Sequence, residues 1–269
     1  MAKKKKKGKF KSWKILSLIL ILVVTGIYYH KQVIRYSYKA YRLYLHIRYP
    51  AVARKGVIDY PLGYSIHGID VSRWQDEIDW ASLRAKTRNG DTLEFQFAFI
   101  KATQGVWLED PMFRDNWKDA LKNHIIRGAY HYFIPGADAK KQAKNFISSV
   151  DLFKGDLPPV VDVEETKGKS RKYIVAQLKI FNAEIEKKYG VKPVIYSNIN
   201  FIENYLASDF EDYHFWVAHY YRDELLVDDN IKWLFWQHSD KAGMFGCNYS
   251  VDVNVFNGSA RELRKILIQ

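Results

Sequence analysis

Cysteine is nearly missing from this 269-residue chain, with Cys247 the only one. A single thiol excludes an intramolecular disulfide and a cysteine-rich zinc site, so the fold has to be stable without cross-links. Cys247 itself is read as a small buried or half-buried loop residue, not a nucleophile. Histidines are scattered: His67, His131, His219 and His238 show no H-E-x-x-H spacing. No metal site and no cofactor are expected, because the chain also lacks a glycine-rich phosphate loop and a G-x-S-x-G elbow. Repeats of 20–50 residues, the mark of solenoids and propellers, are missing as well.

Acid is scarce in one region only. Residues 1–66 hold 15 Lys and Arg against one acid, Asp59, a net +14, whereas residues 67–269 hold 27 against 29, a net −2. The surplus therefore belongs to the N-terminal segment, and the remainder offers no basic stripe for nucleic acid. A long hydrophobic run is absent too. The longest, 15–29, has about 15 residues where a span takes roughly 17–25. Trp13 and the Tyr28–Tyr29 pair suit the two bilayer interfaces, and the eight lysines within 3–14 suit a cytoplasmic flank. No small-x-small cleavage pattern follows the run, so it is expected to be an uncleaved transmembrane anchor with the rest of the chain outside.

The expected organisation is a Lys-rich cytoplasmic tail (1–14), the anchor (15–29), a basic Tyr-rich stalk (30–64) and a catalytic domain (65–269). In the stalk, Tyr38, Tyr41 and Tyr44 recur every third residue among basic ones. That pattern fits an amphipathic helix near anionic headgroups, and equally a stalk packed on its own domain. Pro50, Pro61 and Gly63 mark the linker.

From 65 onward short apolar strands alternate with amphipathic stretches. Strands are expected at 65–71, 95–102, 127–133, 159–163, 193–197, 215–220, 234–238 and 251–256. Helices are expected at 80–87, 111–123, 137–150, 170–189, 201–206 and 259–267, with Asp110 and Pro111 as an N-cap and N1 pair. The fold class is α/β, a TIM-like barrel preceded by the transmembrane helix. The last strands leave little room for helices between them, so a hairpin or flattened side is expected there.

In such barrels chemistry sits at the C-terminal strand ends, and these ends are polar throughout. They read Asp70 in the first, Lys101 to Gln104 in the second, Tyr130-His131-Tyr132 in the third, Asp162 and Glu164 in the fourth, and Tyr196-Ser197-Asn198 in the fifth. Trp216, His219 and Tyr220 follow in the sixth, Trp236-Gln237-His238 in the seventh, and Asp252 and Asn254 in the eighth. The central motif is Pro158-Pro159-Val160-Val161-Asp162-Val163-Glu164. Residues two apart on a strand share a face, which puts the Cα atoms of Asp162 and Glu164 roughly 6–7 Å apart. Glycoside hydrolysis needs such a pair, one carboxyl to protonate the leaving oxygen and one to support charge at the anomeric carbon. Two close carboxylates also raise a pKa, keeping the acid protonated near neutral pH. Glu165 is expected to face away into solvent.

Read as a whole, these residues resemble glycoside hydrolase family 25, the Chalaropsis-type lysozymes. The matching stretches are His67-Gly-Ile-Asp-Val-Ser-Arg-Trp-Gln75, Phe97-Ala-Phe-Ile-Lys-Ala-Thr-Gln-Gly105, Arg127-Gly-Ala-Tyr-His-Tyr-Phe133, Leu157-Pro-Pro-Val-Val-Asp-Val-Glu164, Pro193-Val-Ile-Tyr-Ser197, Phe215-Trp-Val-Ala-His-Tyr220, Trp236-Gln237 and Val251-Asp-Val-Asn-Val-Phe256. They come in the family's order and leave residues 1–64 uncovered. The resemblance implies a barrel irregular in its later part. It also implies hydrolysis of the β-1,4 bond between N-acetylmuramic acid and N-acetylglucosamine in peptidoglycan, with retention.

By the same resemblance Glu164 is the general acid. Asp162 is the nucleophile or the carboxylate that orients the 2-acetamido group, and Asp70 and Asp252 are further acids of the site. Tyr130, Tyr196, Trp216, Tyr220 and Gln237 match groove-lining positions. Gln104 stands where Glu is frequent and His219 where Gln is, which leaves the acids intact. Two other functions stay open: a catalytically silent peptidoglycan-binding domain, and a barrel glycosidase for another amino-sugar polymer. The expected partners are glycan strands and, through the anchor, a lipid bilayer.

Overall fold

Along each of the principal strands alternate residues face opposite ways, and both faces are buried. In β2 (Phe97–Gln104), Phe97 and Phe99 belong to one apolar cluster while Ala98, Ile100 and Ala102 belong to another. A strand apolar on both faces fits only where both are covered, as in a parallel barrel wrapped by helices. The computed structural model describes residues 57–87 and 89–269, together with helical residues 16–23, 25–26, 29–30, 32–34, 36–37 and 40.

β1 (His67–Val71), β2, β3 (Ile126–Tyr132), β4 (Val160–Asp162), β5 (Val194–Asn198), β6 (Phe215–Ala218) and β7 (Trp233–Ala242) are parallel neighbours in chain order. β8 (Val251–Phe256) runs antiparallel to both β7 and β1 and closes the ring. The hairpin expected in the later strands is this β7–β8 pair. Its reversal matters for the site, because β8 begins, rather than ends, at the barrel's C-terminal mouth.

The interior is filled from all round the ring by Phe97, Phe99, Val160, Val194, Trp216, Phe235 and Phe256. The space for the two β2 rings comes from glycine. A Cβ on Gly68 would lie 2.3 Å from the Phe97 ring, and one on Gly128 2.6 Å from Phe99. Outside, α1 (Phe113–Lys122) and α2 (Ala139–Ser149) cover β2. α3 (Arg171–Tyr189) starts at Ser170, whose hydroxyl accepts from Tyr173 N, and stops at Gly190 in the left-handed conformation that glycine adopts without strain. α4 (Ala260–Ile266) opens with a Ser259–Glu262 capping box.

Two local expectations fail. Residues 80–87 form a 3-10 turn, Trp80–Ser82, and then a strand, Arg84–Thr87. The reason is a period of two: Ala85 and Thr87 are buried while Arg84 and Lys86 point out. This strand joins Val57–Ile58 and Thr92–Glu94 in a small second sheet. The sheet shares a core with the outward Val251, Val253 and Val255 of β8. Asp110 does not cap α1 directly, since the cap position is Met112. Its carboxylate instead accepts from Met112 N and Arg73 N, tying the loop after β1 to the start of α1. Cys247 is buried in a loop, as expected.

Among the described residues no helix is long and apolar enough to cross a membrane. The anchor expected at 15–29 and the stalk expected at 30–64 fall partly outside the described residues.

Candidate active site

Asp70, Asp162 and Asp252 meet at the mouth because of strand direction. Asp70 is near the C-terminal end of β1, Asp162 ends β4, and Asp252 is paired in register with Asp70 at the start of antiparallel β8. Glu164 follows β4 by two residues, and its carboxyl lies within hydrogen-bonding reach of Asp162. The expectation that the two acids project together agrees with this placement.

Burial dominates the electrostatics. Asp162 is 5% exposed, and one of its oxygens has no hydrogen-bond partner. Desolvation, then the charge of Glu164, pushes its carboxyl well above the ordinary range. Glu164 is exposed, yet desolvation by the surrounding protein raises it too. Both carboxyls are thus shifted toward their protonated forms. Asp70 is pushed to about 6 by burial, relieved in part by Asn254 and Gln237. Asp252 is pushed to about 9 by burial and by the charge of Asp70, to which it is hydrogen-bonded.

Around Asp70 runs a chain of fixed donors. Gln237 Nε2 and Asn254 Nδ2 donate to one Asp70 oxygen at 2.7 and 2.9 Å. The Gln237 carbonyl oxygen accepts from the hydroxyls of Tyr196 and Tyr220 at 2.6 and 2.9 Å. Asn254 Oδ1 accepts from the Trp216 indole at 2.8 Å. These contacts fix both amides, so Asp70 is oriented from two sides. Tyr130 lies near Asp70, Asp162 and Asp252, and its hydroxyl is pushed up by burial and by their charge.

Three placements differ from a plain groove lining. Trp216 is only 1% exposed and stacks on Phe99 at 4.3 Å, so it is an interior residue that acts on the site through Asn254. Glu165 faces solvent as expected, its side chain 43% exposed, and there it accepts from the Tyr132 hydroxyl at 2.8 Å and pairs with Lys167. His131, near the mouth, is wholly buried between Thr103 and Gln142, and burial lowers it to about 3, which makes it a neutral structural residue.

Lys101 was passed over as a strand tip. It faces inward in step with Phe97 and Phe99, is 9% exposed, and donates to Gln104 Oε1 at 2.9 Å. Its ammonium stands 4.6 Å from the centre of the Tyr132 ring. Burial lowers its pKa, and Asp162 is the acid whose charge opposes that lowering most. The signal was a lysine at an inward position of an apolar strand. Asn254, two residues from Asp252, was legible by the same rule of two.

A closed barrel with a cluster of desolvated carboxyls at its mouth and aromatic residues around them is the arrangement of a glycoside hydrolase. Residues 69–247 match the glycosyl hydrolases family 25, and the chain belongs to that family. Among relatives, protein YegX of Escherichia coli is 42% identical over 93% of this chain and 90% of its own length. Lysozyme M1 of Streptomyces globisporus is 32% identical over 74% of this chain and 70% of its own. The crystal structure of the bacterial lysozyme from Streptomyces coelicolor superposes with a TM-score of 0.68 and 30% identity, covering 76% of this chain and 98% of that one.

Proposed function

We propose that the protein hydrolyses the β-1,4 bond between N-acetylmuramic acid and N-acetylglucosamine in peptidoglycan, with Glu164 as general acid. The observation that carries this is the placement of Asp162 at the end of β4 with Glu164 two residues on, both at the barrel mouth beside Asp70 and Asp252. Glu164, exposed to solvent and shifted toward its protonated form, gives its proton to the leaving glycosidic oxygen. Asp162 is left as a carboxylate, opposed by the Lys101 charge.

In glycosidases whose second carboxylate attacks directly, the two groups stand about 5–5.5 Å apart on either side of the sugar. Asp162 takes the place of the second carboxylate, as nucleophile or as the group that orients the 2-acetamido oxygen for attack. Asp70, with Asp252 beside it, holds negative charge next to the developing oxocarbenium ion. Tyr130, Tyr196, Tyr220 and Gln237 surround the sugar, and Trp216 supports them from beneath.

The test is digestion of purified peptidoglycan by the whole protein, with new reducing ends identified by mass spectrometry. Muramic acid at the new ends is expected, and Glu164→Gln should lower turnover by about 10²–10⁴. Binding of sacculi without release of reducing sugar would select the silent binding domain. Release from chitin-type polymers alone would select another amino-sugar glycosidase.

The tether is a second part of the proposal, with the catalytic domain from 65 onward on the outer side of a membrane. Supporting it, Leu16, Leu18, Ile19, Leu20, Ile21, Leu22 and Val23 are 49–63% exposed on one helical stretch. Apolar side chains left this open gain by entering a bilayer, and the lysines before them suit its cytoplasmic face. Recovery of the protein in the soluble fraction after cell lysis would refute this part alone.

A further inference from the structure

Trp74 and Trp107 stand apart from the acid cluster and are 63% and 55% exposed, with the Arg73 guanidinium 5.0 Å from the centre of the Trp74 ring. Indole has much apolar area to lose to solvent, so such exposure at a mouth needs a cause. Trp74 lies in the turn Arg73–Gln75 just beyond β1. Trp107 tops the turn between β2 and the short strand Leu108–Glu109, which folds back on it.

Both turns are held rigidly. In the first, Trp74 N donates to Ser72 Oγ at 3.3 Å, Gln75 Nε2 to Ser250 O at 3.0 Å, and Arg73 N to the buried Asp110 at 3.2 Å. In the second, the buried Asn145 donates to Gly105 O at 3.0 Å and to Leu108 O at 3.1 Å, clamping both feet of the turn. Gly105 N donates to Tyr132 O at 3.1 Å, and Gly105 adopts a φ of 56°, which glycine takes readily. Asp110 binds the two loops to each other, since it also accepts from Met112 N beyond the second turn.

We propose that Trp74 and Trp107 form an outer sugar platform that stacks on the pyranose faces of a glycan strand running past the Asp162–Glu164 pair. A pyranose ring has an apolar C–H face that suits indole and hydroxyls at its edge that stay wet. Fixing the backbone of both turns beforehand lowers the ordering cost of binding. The ligand class is an N-acetylhexosamine polymer longer than the stretch covered by the acid cluster. The proposal rests on the glycan-cleaving function of the groove and adds a preference for long strands.

The test compares Trp74→Ala/Trp107→Ala with the parent, as whole protein, on polymeric glycan strands and on a muropeptide-free tetrasaccharide. KM on the polymer should rise about tenfold, the loss of two stacking contacts, with little change in kcat. The KM change on the tetrasaccharide should be several-fold smaller, and Trp→Phe at both positions should recover most of the polymer affinity. Equal losses on both substrates, or a polymer KM within twofold of the parent, would overturn the platform. If the parent cleaves no glycan, the cleavage reading falls by itself. Co-sedimentation with sacculi then decides the platform: weaker pelleting of the double variant supports it and equal pelleting overturns it.

Discussion

At the N-terminal end of the barrel, Asp156 is gripped by Arg127 through Nε at 2.7 Å and Nη2 at 3.3 Å, and by Phe153 N at 2.8 Å. The guanidinium also lies 4.2 Å from the centre of the Trp117 ring and donates to Trp117 O. At the other end, Asp162 is buried to a similar degree, yet it has an unpartnered oxygen and faces another acid. The same side chain is neutralised at one end and left in conflict at the other. A buried acid that only supports the fold is paired, because a lone charge there is costly. One poised for proton transfer is kept where both protonation states are accessible.

The sharpest way to break this comparison is to treat both aspartates alike. Asp162→Asn should lower turnover on peptidoglycan by about 10²–10⁴ without lowering the melting temperature, since it removes a repulsion. Asp156→Ala should do the reverse. Stranding the Arg127 charge should cost about 3–5 kcal/mol of stability, while activity per folded molecule is retained. Chemical denaturation and single-substrate kinetics on both variants measure the two axes. Matching profiles for the two would erase the distinction between the ends.

A finer cut falls within the mouth. Lys101 is the buried cation there, and Asp162 is its leading acidic partner. Lys101→Met should push the Asp162–Glu164 pair further up, because the positive charge favours their ionised forms. The acidic limb of the pH–rate profile should then move to higher pH by about one unit, so activity at a pH on that limb falls about tenfold. Gln104→Glu, which adds a negative charge beside Lys101, should move the limb the same way by less. An unmoved limb in both variants would show that Lys101 serves packing alone.

The difference between the two ends also explains what could be read without coordinates. The eight barrel strands were legible as short apolar runs, because both of their faces are buried, and the Asp162–Glu164 pair followed from the shared face of residues two apart. Residues 80–87 were misread because a 3-10 turn at Trp80 runs straight into a short strand that pairs with the distant 57–58 and, through a hairpin, with 92–94. Trp216 matches a groove-lining position by resemblance alone, and its 1% exposure with its hydrogen bond to Asn254 across the ring place it in the interior. Trp74 and Trp107 carried no mark in the sequence, since exposure is a property of the assembled loops. The Arg127–Asp156 pair joins residues 29 apart, and nothing local announces it.

The smallest expected effect concerns Asp252. Its carboxyl is pushed from 3.8 to about 9, and that of Asp70 from 3.8 to about 6. Between the unfolded and folded values the native state binds more protons than the unfolded chain, so stability falls as pH rises through this window. The stretch from about 4 to 6 belongs to both groups and the stretch from 6 to 9 to Asp252. Asp252→Asn keeps a donor beside Asp70 but has no proton to lose. Its melting temperature should therefore decline less than the parent's between pH 6 and pH 9, by a few degrees. Parallel curves across that interval would mean that the mouth does not hold this proton, and that its acids are less in conflict than their burial implies.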